Sequence, residues 1–462
     1  MNKSSLWIWS LAIVICLVIV SWFLGFGLGG CSSTQQEIAT TTTSAGTTTT
    51  TLALTWSGIK HFGTSAIDEG GPLLTDADGN IYLVGGTGGG FDGYTYQGDG
   101  FDVFLAKFDS AGNRKWTKQT VTSGDDGPSS AARDSDGNIY IAGTTTGSFE
   151  GYTNAGGRDT FLLKYDSNGN KLWVKQFRTD SEENEPRVAV DSSGNVYLAG
   201  NTTSGIDENA PIGSEDFFLM KFDPSGNKQW TQQFGTTGWE KVMEVKTDPD
   251  GNIYLTGIVL VGGLYGNTNK GLADAFLMKC DPTDGHRLWT EQFGSAAVDQ
   301  GMDLAIDATG SHIYVGGISN GALPGNSNLG EIDLFLAKYD FSGNQQWIKQ
   351  FGTSNVDDGV GVVVDSTGAV YLVGSTQPEP GPLKSGNDGL FLIKTDSDGT
   401  ELWRKIFDRD EVPSCNGSVT DLHDNLFLTG SDRGGFDGYT SVGGADDADV
   451  FLVKFDSSGN LQ

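Results

Sequence analysis

The chain is poor in the residues that build redox and metal centres. It has 4 cysteines and 4 histidines, with no adjacent cysteine pair, no CxxC and no Cys/His cluster. This excludes a dithiol redox site and a cysteine-based zinc site. Cys16 lies in an N-terminal apolar run and Cys31 follows that run, which leaves Cys280 and Cys415 for the folded part. We predict two free thiols, because these cysteines fall in distant repeats and a disulfide needs Cα atoms within about 7 Å.

Histidine placement also disfavours a nucleophile-His-acid triad. His286, His312 and His423 fall in predicted tight hairpin turns, whereas His61 lies at a strand end on the opposite side. A triad needs its base within hydrogen-bond reach of a nucleophile in one cleft. A pair of carboxylates needs no histidine and stays open as catalytic machinery.

Positive charge is scarce. There are 29 Lys and Arg against 59 Asp and Glu, a formal net charge of -30, or about -31 without residues 1–30, which carry one Lys and no acid. Such a surface repels phosphate backbones, so we expect no nucleic-acid partner. With only 12 Pro but 68 Gly and 37% hydrophobic residues, the composition is typical of a turn-rich all-β protein rather than a disordered one.

The N-terminus reads as an export signal. One lysine, Lys3, precedes an apolar run from Leu6 to Leu28 that ends in Leu-Gly-Gly-Cys31. The run could span a bilayer. However, its end resembles the lipobox of bacterial lipoproteins, which implies lipidation of Cys31; an uncleaved anchor helix is the alternative. We therefore assign residues 1–30 to the signal, 31–53 to a Thr-rich flexible tether and 54–462 to the folded domain.

A repeat of about 58 residues occupies the rest of the chain. Its pattern is W...QFGT...D.G...VDS.GN.YL.G.T...G..D.FL.K.DS.GN..W, and its tryptophans are Trp56, Trp116, Trp173, Trp230, Trp289, Trp347 and Trp403. Each unit holds two DxxGN-type hairpins, in which Asp opens the turn and Gly supplies the positive φ that closes it. Four strands per unit in seven units predict an all-β, seven-bladed β-propeller of four-stranded antiparallel blades.

The two ends of the repeat predict how the ring closes. The C-terminal phrase FDSSGNLQ matches FDPSGNKQW at 222–230 but lacks the tryptophan, while Trp56 begins a strand with no hairpin before it. We expect residues near 54–62 to supply the outermost strand of the last blade. Closure of this kind removes an unpaired sheet edge.

These units resemble the bacterial SBBP (seven-bladed β-propeller) repeats, over residues 56–462. Units such as DSDGNIYIAGTTTGSFEGYTNAGGRDTFLLKYDSNGNKLW carry the resemblance. It implies an exported or surface-attached propeller and gives no mechanism. The phrase DxxGNKxW also resembles the repeat of quinone-cofactor dehydrogenases and of outer-membrane assembly lipoproteins, but the adjacent cysteine pair of the dehydrogenases is missing here.

Two recurrent polar patterns have structural interpretations. A lysine recurs in every third strand, from Lys107 to Lys454, and we expect it between blades, in salt bridges with the Asp two residues later or with the first-hairpin Asp. The DxDG phrases at 76–79, 134–137 and 248–251 resemble fragments of calcium loops but lack the remaining ligands. We expect no cofactor and no protein-built metal centre, with calcium kept as an alternative.

The connections between second and third strands are the variable part of the repeat. They include residues 88–102, 147–159, 263–274 and 434–449, where aromatic and acidic residues alternate. The candidate ligand-binding residues are Phe91, Asp92, Tyr94, Phe149, Glu150, Tyr152, Tyr265, Phe436, Asp437 and Tyr439. The alternative is that the aromatic rings pack the loops onto the blades.

The sequence therefore favours a monomeric, membrane-tethered propeller outside the cytoplasm that acts as an interaction or ligand-binding module. In a cell with two membranes, Ser32 after the cysteine resembles the outer-membrane or cell-surface sorting pattern. A glycan or an envelope protein is the expected partner. Two alternatives remain, a carboxylate-based carbohydrate-active enzyme and an envelope-assembly scaffold lipoprotein.

Overall fold

The protein is described here by a computed structural model. The described residues are 56, 58–98, 100–154, 156–177, 185–207, 209–260, 262–307, 310–376, 389–407, 415–433, 440–442, 444 and 447–462. The signal, the tether, Cys31, Phe436, Asp437 and Tyr439 lie outside them. None of the helical segments among the described residues has the length and apolar character needed to cross a membrane.

The described strands form seven four-stranded antiparallel sheets, as predicted. Blade one holds β2 (Asp68–Thr75), β3 (Ile81–Thr87), β4 (Asp102–Phe108) and β5 (Arg114–Thr120), and blade two holds β6 (Asp126–Arg133), β7 (Ile139–Thr145), β8 (Asp159–Tyr165) and β9 (Lys171–Phe177). Blade three holds β10 (Arg187–Val190), β11 (Val196–Thr202), β12 (Asp216–Phe222) and β13 (Lys228–Phe234). Blade four holds β14 (Trp239–Thr247), β15 (Ile253–Leu260), β16 (Ala273–Cys280) and β17 (Arg287–Phe293), with a 3-10 turn at Leu264–Gly266.

The remaining blades repeat this order. Blade five holds β18 (Asp299–Ile306), β19 (His312–Ser319), β20 (Asp333–Asp340) and β21 (Gln345–Phe351). Blade six holds β22 (Asp357–Val364), β23 (Val370–Thr376), β24 (Gly389–Thr395) and β25 (Glu401–Phe407). Blade seven holds β26 (Cys415–Thr420), β27 (Leu426–Asp432), β28 (Asp449–Phe455) and β1 (Lys60–Phe62).

Closure of the ring by the N-terminal strand is confirmed. β1 pairs antiparallel with β28, with Lys60 opposite Leu452 and Phe62 opposite Val450. β1 is thus the outermost strand of blade seven, while β2 begins blade one. The first and last repeats are joined by hydrogen bonds rather than by the chain itself, and the outer edge of β28 is covered.

The hairpins have the predicted chemistry. In the turn between β12 and β13, the Asp223 carboxylate accepts the backbone N–H of Asn227 at 2.9 Å and its side-chain amide at 2.9 Å. Gly226 has φ of +80° and donates its N–H to the Asp223 carbonyl at 2.8 Å. A side chain at that φ is strained, which explains the glycine. In the DADG phrase, Asp76 is likewise occupied by Asn80 and by the Tyr82 hydroxyl, so it serves its own hairpin.

The same hairpin glycine also packs against the neighbouring blade. A Cβ atom on Gly226 would lie 3.1 Å from the Trp173 ring of blade two. The contact recurs around the whole ring, as Gly112 on Trp56, Gly169 on Trp116, Gly226 on Trp173, Gly285 on Trp230, Gly343 on Trp289, Gly399 on Trp347 and Gly459 on Trp403. The tryptophan that marks each repeat thus covers the second hairpin of the next blade.

The recurrent lysines are placed between blades as predicted, but their main partners differ from the predicted ones. All seven ammonium groups lie over the ring of a second-strand residue in the same blade, for example Lys107 at 4.7 Å from the Tyr82 centroid. Ion pairs to the first-hairpin Asp occur in two blades, Lys107 with Asp76 at 3.8 Å and Lys394 with Asp365 at 2.9 Å. The Asp two residues later is not the partner: Asp109, for instance, pairs with Lys115.

Several of these lysines also bond to the next blade. Lys164 donates to the carbonyl of Pro224 at 2.9 Å, and Lys221 donates to that of Pro282 at 2.7 Å. A lysine with a ring, a carbonyl and sometimes a carboxylate around it keeps its charge compensated without a dedicated salt bridge.

Cys280 and Cys415 are not joined by a disulfide, as predicted, and both are buried. Cys280 ends β16, in the slot that Phe222 fills in blade three, whereas Cys415 is the first residue of β26 rather than part of the connection before it. Burial raises the pKa of both thiols. Neither thiol is suited to nucleophilic chemistry.

Ring closure by the Trp56–Gly112 contact gives the first prediction. Trp56→Ala should lower the free energy of unfolding by about 2–3 kcal/mol, because a large ring is removed from between two blades. Chemical denaturation followed by tryptophan fluorescence measures it. Trp173→Ala, at a junction that the chain itself crosses, should have a similar effect. An unchanged midpoint for Trp56→Ala would mean that this contact does not hold blade seven to blade one.

Candidate functional site on the long-loop face

The long connections of each blade share one face with the connections between blades. The Asp126 N–H, at the start of blade two, donates to the carbonyl of Phe101, at the end of the long loop of blade one, at 2.6 Å. The Leu272 N–H, in the long loop of blade four, donates to the carbonyl of Ala297, in the connection to blade five, at 2.8 Å. We call this side, formed by the second-to-third-strand loops and the connections between blades, the long-loop face. The hairpins lie at the other ends of the strands.

In blades one to five, a glutamine near the end of the fourth strand holds the long loop in place. Gln119 donates its amide N–H groups to the Gly89 carbonyl and to the Asp102 carboxylate, both at 2.9 Å, and accepts the N–H of Phe91 at 3.0 Å. Equivalent bonds are made by Gln176, Gln233, Gln292 and Gln350. The loops vary in sequence but start from the same fixed point.

Two of the candidate aromatic residues have their side chains buried between their own loop and the blade. Phe91 and Phe149 are each 3% exposed and pack against Phe104 and Phe161, with ring centroids 5.1 and 5.2 Å apart. The same position holds Ile206, Leu264 and Leu323 in the next three blades, all buried. These side chains attach the loop to the blade, which is the packing role considered for them in the sequence. A ligand could not reach either ring without displacing the loop.

The other described candidates are accessible. Tyr94 is 39% and Tyr265 is 37% exposed, and Glu150 is exposed as well. Tyr152 is partly buried, and its hydroxyl donates to the Val174 carbonyl at 3.4 Å.

Two of the candidates are engaged with basic side chains. Asp92 forms an ion pair with Arg114 at 3.2 Å, and the Arg287 guanidinium lies 4.6 Å from the Tyr265 centroid. Arg114 and Arg287 occupy the same position, the first residue of the fourth strand. The described candidates therefore belong to three separate blades, and Asp92 and Tyr265 each contact the fourth strand of their own blade.

Pairs of buried carboxylates recur on this face and were not predicted from the sequence. A third-strand acid of one blade faces a first-strand acid of the next, and each is less than 2% exposed. The described pairs are Asp449 with Asp68, Asp102 with Asp126, Asp216 with Glu240, Asp274 with Asp299 and Asp333 with Asp357. Both acids recur in the repeat, the first-strand acid in the D.G phrase and the third-strand acid shortly before FL. The repeat does not show that they lie close together, because this depends on how the blades stack.

At four of the five described pairs the glycine of the QFG phrase leaves room for the carboxylates, whereas Val121 has that position at the Asp102–Asp126 junction. A Cβ atom on Gly294 would lie 2.7 Å from an Asp299 oxygen and 2.8 Å from an Asp274 oxygen. Gly63, Gly235 and Gly352 have the same position between their pairs. At these four glycines a side chain would come too close to at least one carboxylate of the pair.

Burial and mutual repulsion shift the protonation of these acids. Burial raises the pKa of Asp126 to about 7, the hydroxyls of Thr145 and Thr122 oppose the shift, and the negative charge of Asp102 adds to it. Burial likewise raises the pKa of Asp102 and of Asp68 to about 6. In the described part of the chain, neither Asp102 nor Asp126 forms an ion pair with a Lys or Arg, so a proton is the available means of reducing the repulsion.

These pairs do not suit glycoside hydrolysis. That reaction needs two carboxyl groups on either side of a bound sugar, whereas Asp102 and Asp126 are both 0% exposed. The acid pairs therefore belong to the junctions between blades and have a structural role there.

One described group of residues has metal-ligand spacing. Ligand atoms of Asp281, Asp284 and His286, in the second hairpin of blade four, lie within 4.8 Å of one another. His286 Nδ1 is 2.5 Å from Asp284, which raises the pKa of the histidine, and one Asp281 oxygen accepts the Thr283 N–H. The group is largely exposed and lies at the hairpin ends, away from the long loops.

Comparison with known proteins finds a match to a family of beta-propeller repeats. Residues 115–150, 186–207 and 346–378 match the SBBP family model, described as a beta-propeller repeat. A regulatory protein, FlaEY, of Caulobacter vibrioides is 28% identical over 206 residues, which are 40% of this chain and 21% of that protein. An uncharacterized WD repeat-containing protein of Acanthamoeba polyphaga mimivirus is 25% identical over 67% of this chain and 29% of its own length.

The chain thus spans less than a third of the length of these curated relatives. Among solved structures, the beta-propeller domain of the trilobed protease from Pyrococcus furiosus is similar, with 9% identity and a TM-score of 0.40 over 73% of this chain and 84% of that one.

The raised pKa of Asp126 gives a prediction for stability. Its folded pKa of about 7 lies above the ordinary value of 3.8, so its contribution is fully present below about pH 4 and is lost as pH rises toward 7. Because Asn cannot ionise, the melting temperature of Asp126→Asn should change less with pH between 5 and 8. The difference from the unaltered protein should correspond to about 1–3 kcal/mol in the free energy of unfolding. Differential scanning calorimetry of both proteins gives the difference.

Asp136→Asn, at an exposed hairpin position, is the matched control and should follow the original pH profile. Parallel profiles for Asp126→Asn and the unaltered protein would contradict the assignment of a raised pKa at this junction.

Proposed function

We propose that this propeller is a membrane-tethered module outside the cytoplasm that binds a ligand or partner through its long-loop face. The observation that carries the proposal is the contrast between its two faces. The hairpins are short and nearly uniform, whereas the loops differ from blade to blade, and those of blades one to five are held at one point by the same glutamine. A rigid frame that presents variable loops is the arrangement that binding proteins use.

The tether rests on the N-terminal sequence. The apolar run to Leu28, the Gly-Gly-Cys31 that follows and the Thr-rich stretch of 31–53 support export, lipidation and a spacer that separates the propeller from the bilayer. In a cell with two membranes, Ser32 supports the outer membrane or the cell surface.

The ligand proposed for this face is cationic or bridged by a metal ion. The loop sequences include Asp92, Glu150 and Asp437, and the rings of Tyr94 and Tyr265 are exposed. The net charge of -30 disfavours attraction of anions by the molecule as a whole. Glycans and envelope proteins are the partner classes to be tested, and the buried state of the described acid pairs favours binding over the enzyme alternative.

Lipidation gives a direct test of the tether. Mass spectrometry of the mature protein should find a new N-terminus at Cys31 that carries diacylglycerol, and Cys31→Ser should release the protein from membranes or block processing. An intact Met1, or an unmodified Cys31, would contradict lipidation and leave the anchor helix as the alternative.

The binding face is tested by a panel of glycans and envelope proteins, followed by variants. For any ligand found, we expect Asp92→Asn with Glu150→Gln to weaken binding about tenfold, because each removes a charged partner. Asp250→Asn, on a hairpin, is the control and should have no effect. Loss of binding with Asp250→Asn alone would place the ligand on the hairpin side, and co-purification with membrane-protein machinery would favour the scaffold alternative.

A further inference from the structure

The junction between blades one and two differs from the others where the fourth strand ends. The fourth strand ends in phenylalanine in six blades, at Phe62, Phe177, Phe234, Phe293, Phe351 and Phe407. In blade one the same position is Thr120. The strand is otherwise regular, since Gln119 makes the same bonds as its counterparts.

The phenylalanine normally closes the space between two blades. Phe177 packs on Phe222 of the next blade with centroids 5.2 Å apart, and Phe62 on Phe108 at the same distance. The pairs Phe293 with Tyr339 and Phe407 with Phe455 repeat the contact. Thr120 is too short to replace the ring, and its hydroxyl instead bonds to the hydroxyl of Tyr165.

A groove of about 550 Å³ opens at this junction. The buried residues Thr120 and Tyr165 form its floor, and Tyr94, Lys118 and Lys171 also line it. The groove has the size of a small-ligand site.

The charge of the groove is opposite to that of the molecule. No Asp or Glu is among the described residues that line it. Lys118 and Lys171 form no ion pair within the described part of the chain, although the protein as a whole carries a net charge of -30. The polar side chains of Gln119 and Asn170, which also line the groove, are already bonded to the loop and to Asp166. The groups left to bind a ligand are two ammonium groups and the Tyr94 phenol.

We infer that this groove, which we call the Thr120 groove, binds an acidic saccharide whose carboxylates contact Lys118 and Lys171 and whose sugar ring stacks on Tyr94. Tyr94 is 39% exposed, so its ring face is accessible. An aromatic face is a good surface for the C–H side of a pyranose, and ammonium groups bind carboxylates as point charges. Burial raises the pKa of Tyr165 to about 12, so the floor stays uncharged beside the anion.

The inference does not depend on the ligand proposed for the long-loop face. That face is expected to take a cationic or metal-bridged ligand, whereas the Thr120 groove takes an anion. The proposal for the long-loop face and the proposal for the Thr120 groove can fail separately, because different variants test them.

Titration calorimetry of the full chain in mild detergent, with a linear tetramer of galacturonic acid as the probe, tests the groove. We expect binding that weakens with added NaCl, and no binding of maltotetraose, which is neutral. Thr120→Phe restores the residue of the other six blades and should abolish binding while the melting temperature is kept or raised. Lys118→Ser with Lys171→Ser should weaken binding at least about tenfold.

The matched control is Lys175→Ser. Lys175 holds the position of Lys118 at the next junction, where Phe177 closes the space, so its loss should not change binding. The inference is overturned if the tetramer does not bind, if Thr120→Phe binds it undiminished, or if the neutral tetramer binds equally well. Equal binding of a tetraglutamate peptide would overturn the assignment to a saccharide. If Thr120→Phe does not fold, the double lysine variant decides the outcome.

Discussion

The contact of a tryptophan with a hairpin glycine of the next blade is the constraint on which the rest of the fold depends. The glycine has two tasks at once, since it adopts the positive φ of its own turn and leaves room for the ring of its neighbour. The tryptophan therefore sets the distance between consecutive blades near the hairpin side. With that distance fixed seven times over, the lysines lie between blades and the acids at the opposite ends of the strands are brought face to face.

The features that the sequence could predict are those that depend on residues close together in the chain. The hairpins follow from Asp and Gly three positions apart, the strand count follows from the hairpins, and closure follows from the incomplete first and last repeats. The partners of the lysines and acids could not be predicted in the same way. Lys164 bonds to a carbonyl of Pro224, about a repeat away, and Asp102 meets Asp126 across a junction whose width no local pattern specifies.

The candidate site shows a similar division. Alternating aromatic and acidic residues in a Gly-rich loop fit either a binding surface or a packing role, and the structure places Phe91 in the core while Tyr94, three residues later, is exposed. A signal was present in the sequence, because an apolar residue recurs at the position of Phe91 in four other loops, as Phe149, Ile206, Leu264 and Leu323. The Thr120 groove could also have been noticed as a break in the repeat, but its volume and its lysine lining depend on the stacking of two blades.

Closure through β1 has a mechanical consequence. The segment that precedes this strand leads toward the membrane in the proposed arrangement, so tension on it would act first on Lys60–Phe62, three residues paired with β28. The other blade junctions would carry little of that force until this short strand had separated from β28 and the Trp56 ring from Gly112 of blade one. Under load, the ring would therefore open at blade seven, and the same strand could re-form its bonds when the tension is released, because the rest of the sheet remains in place.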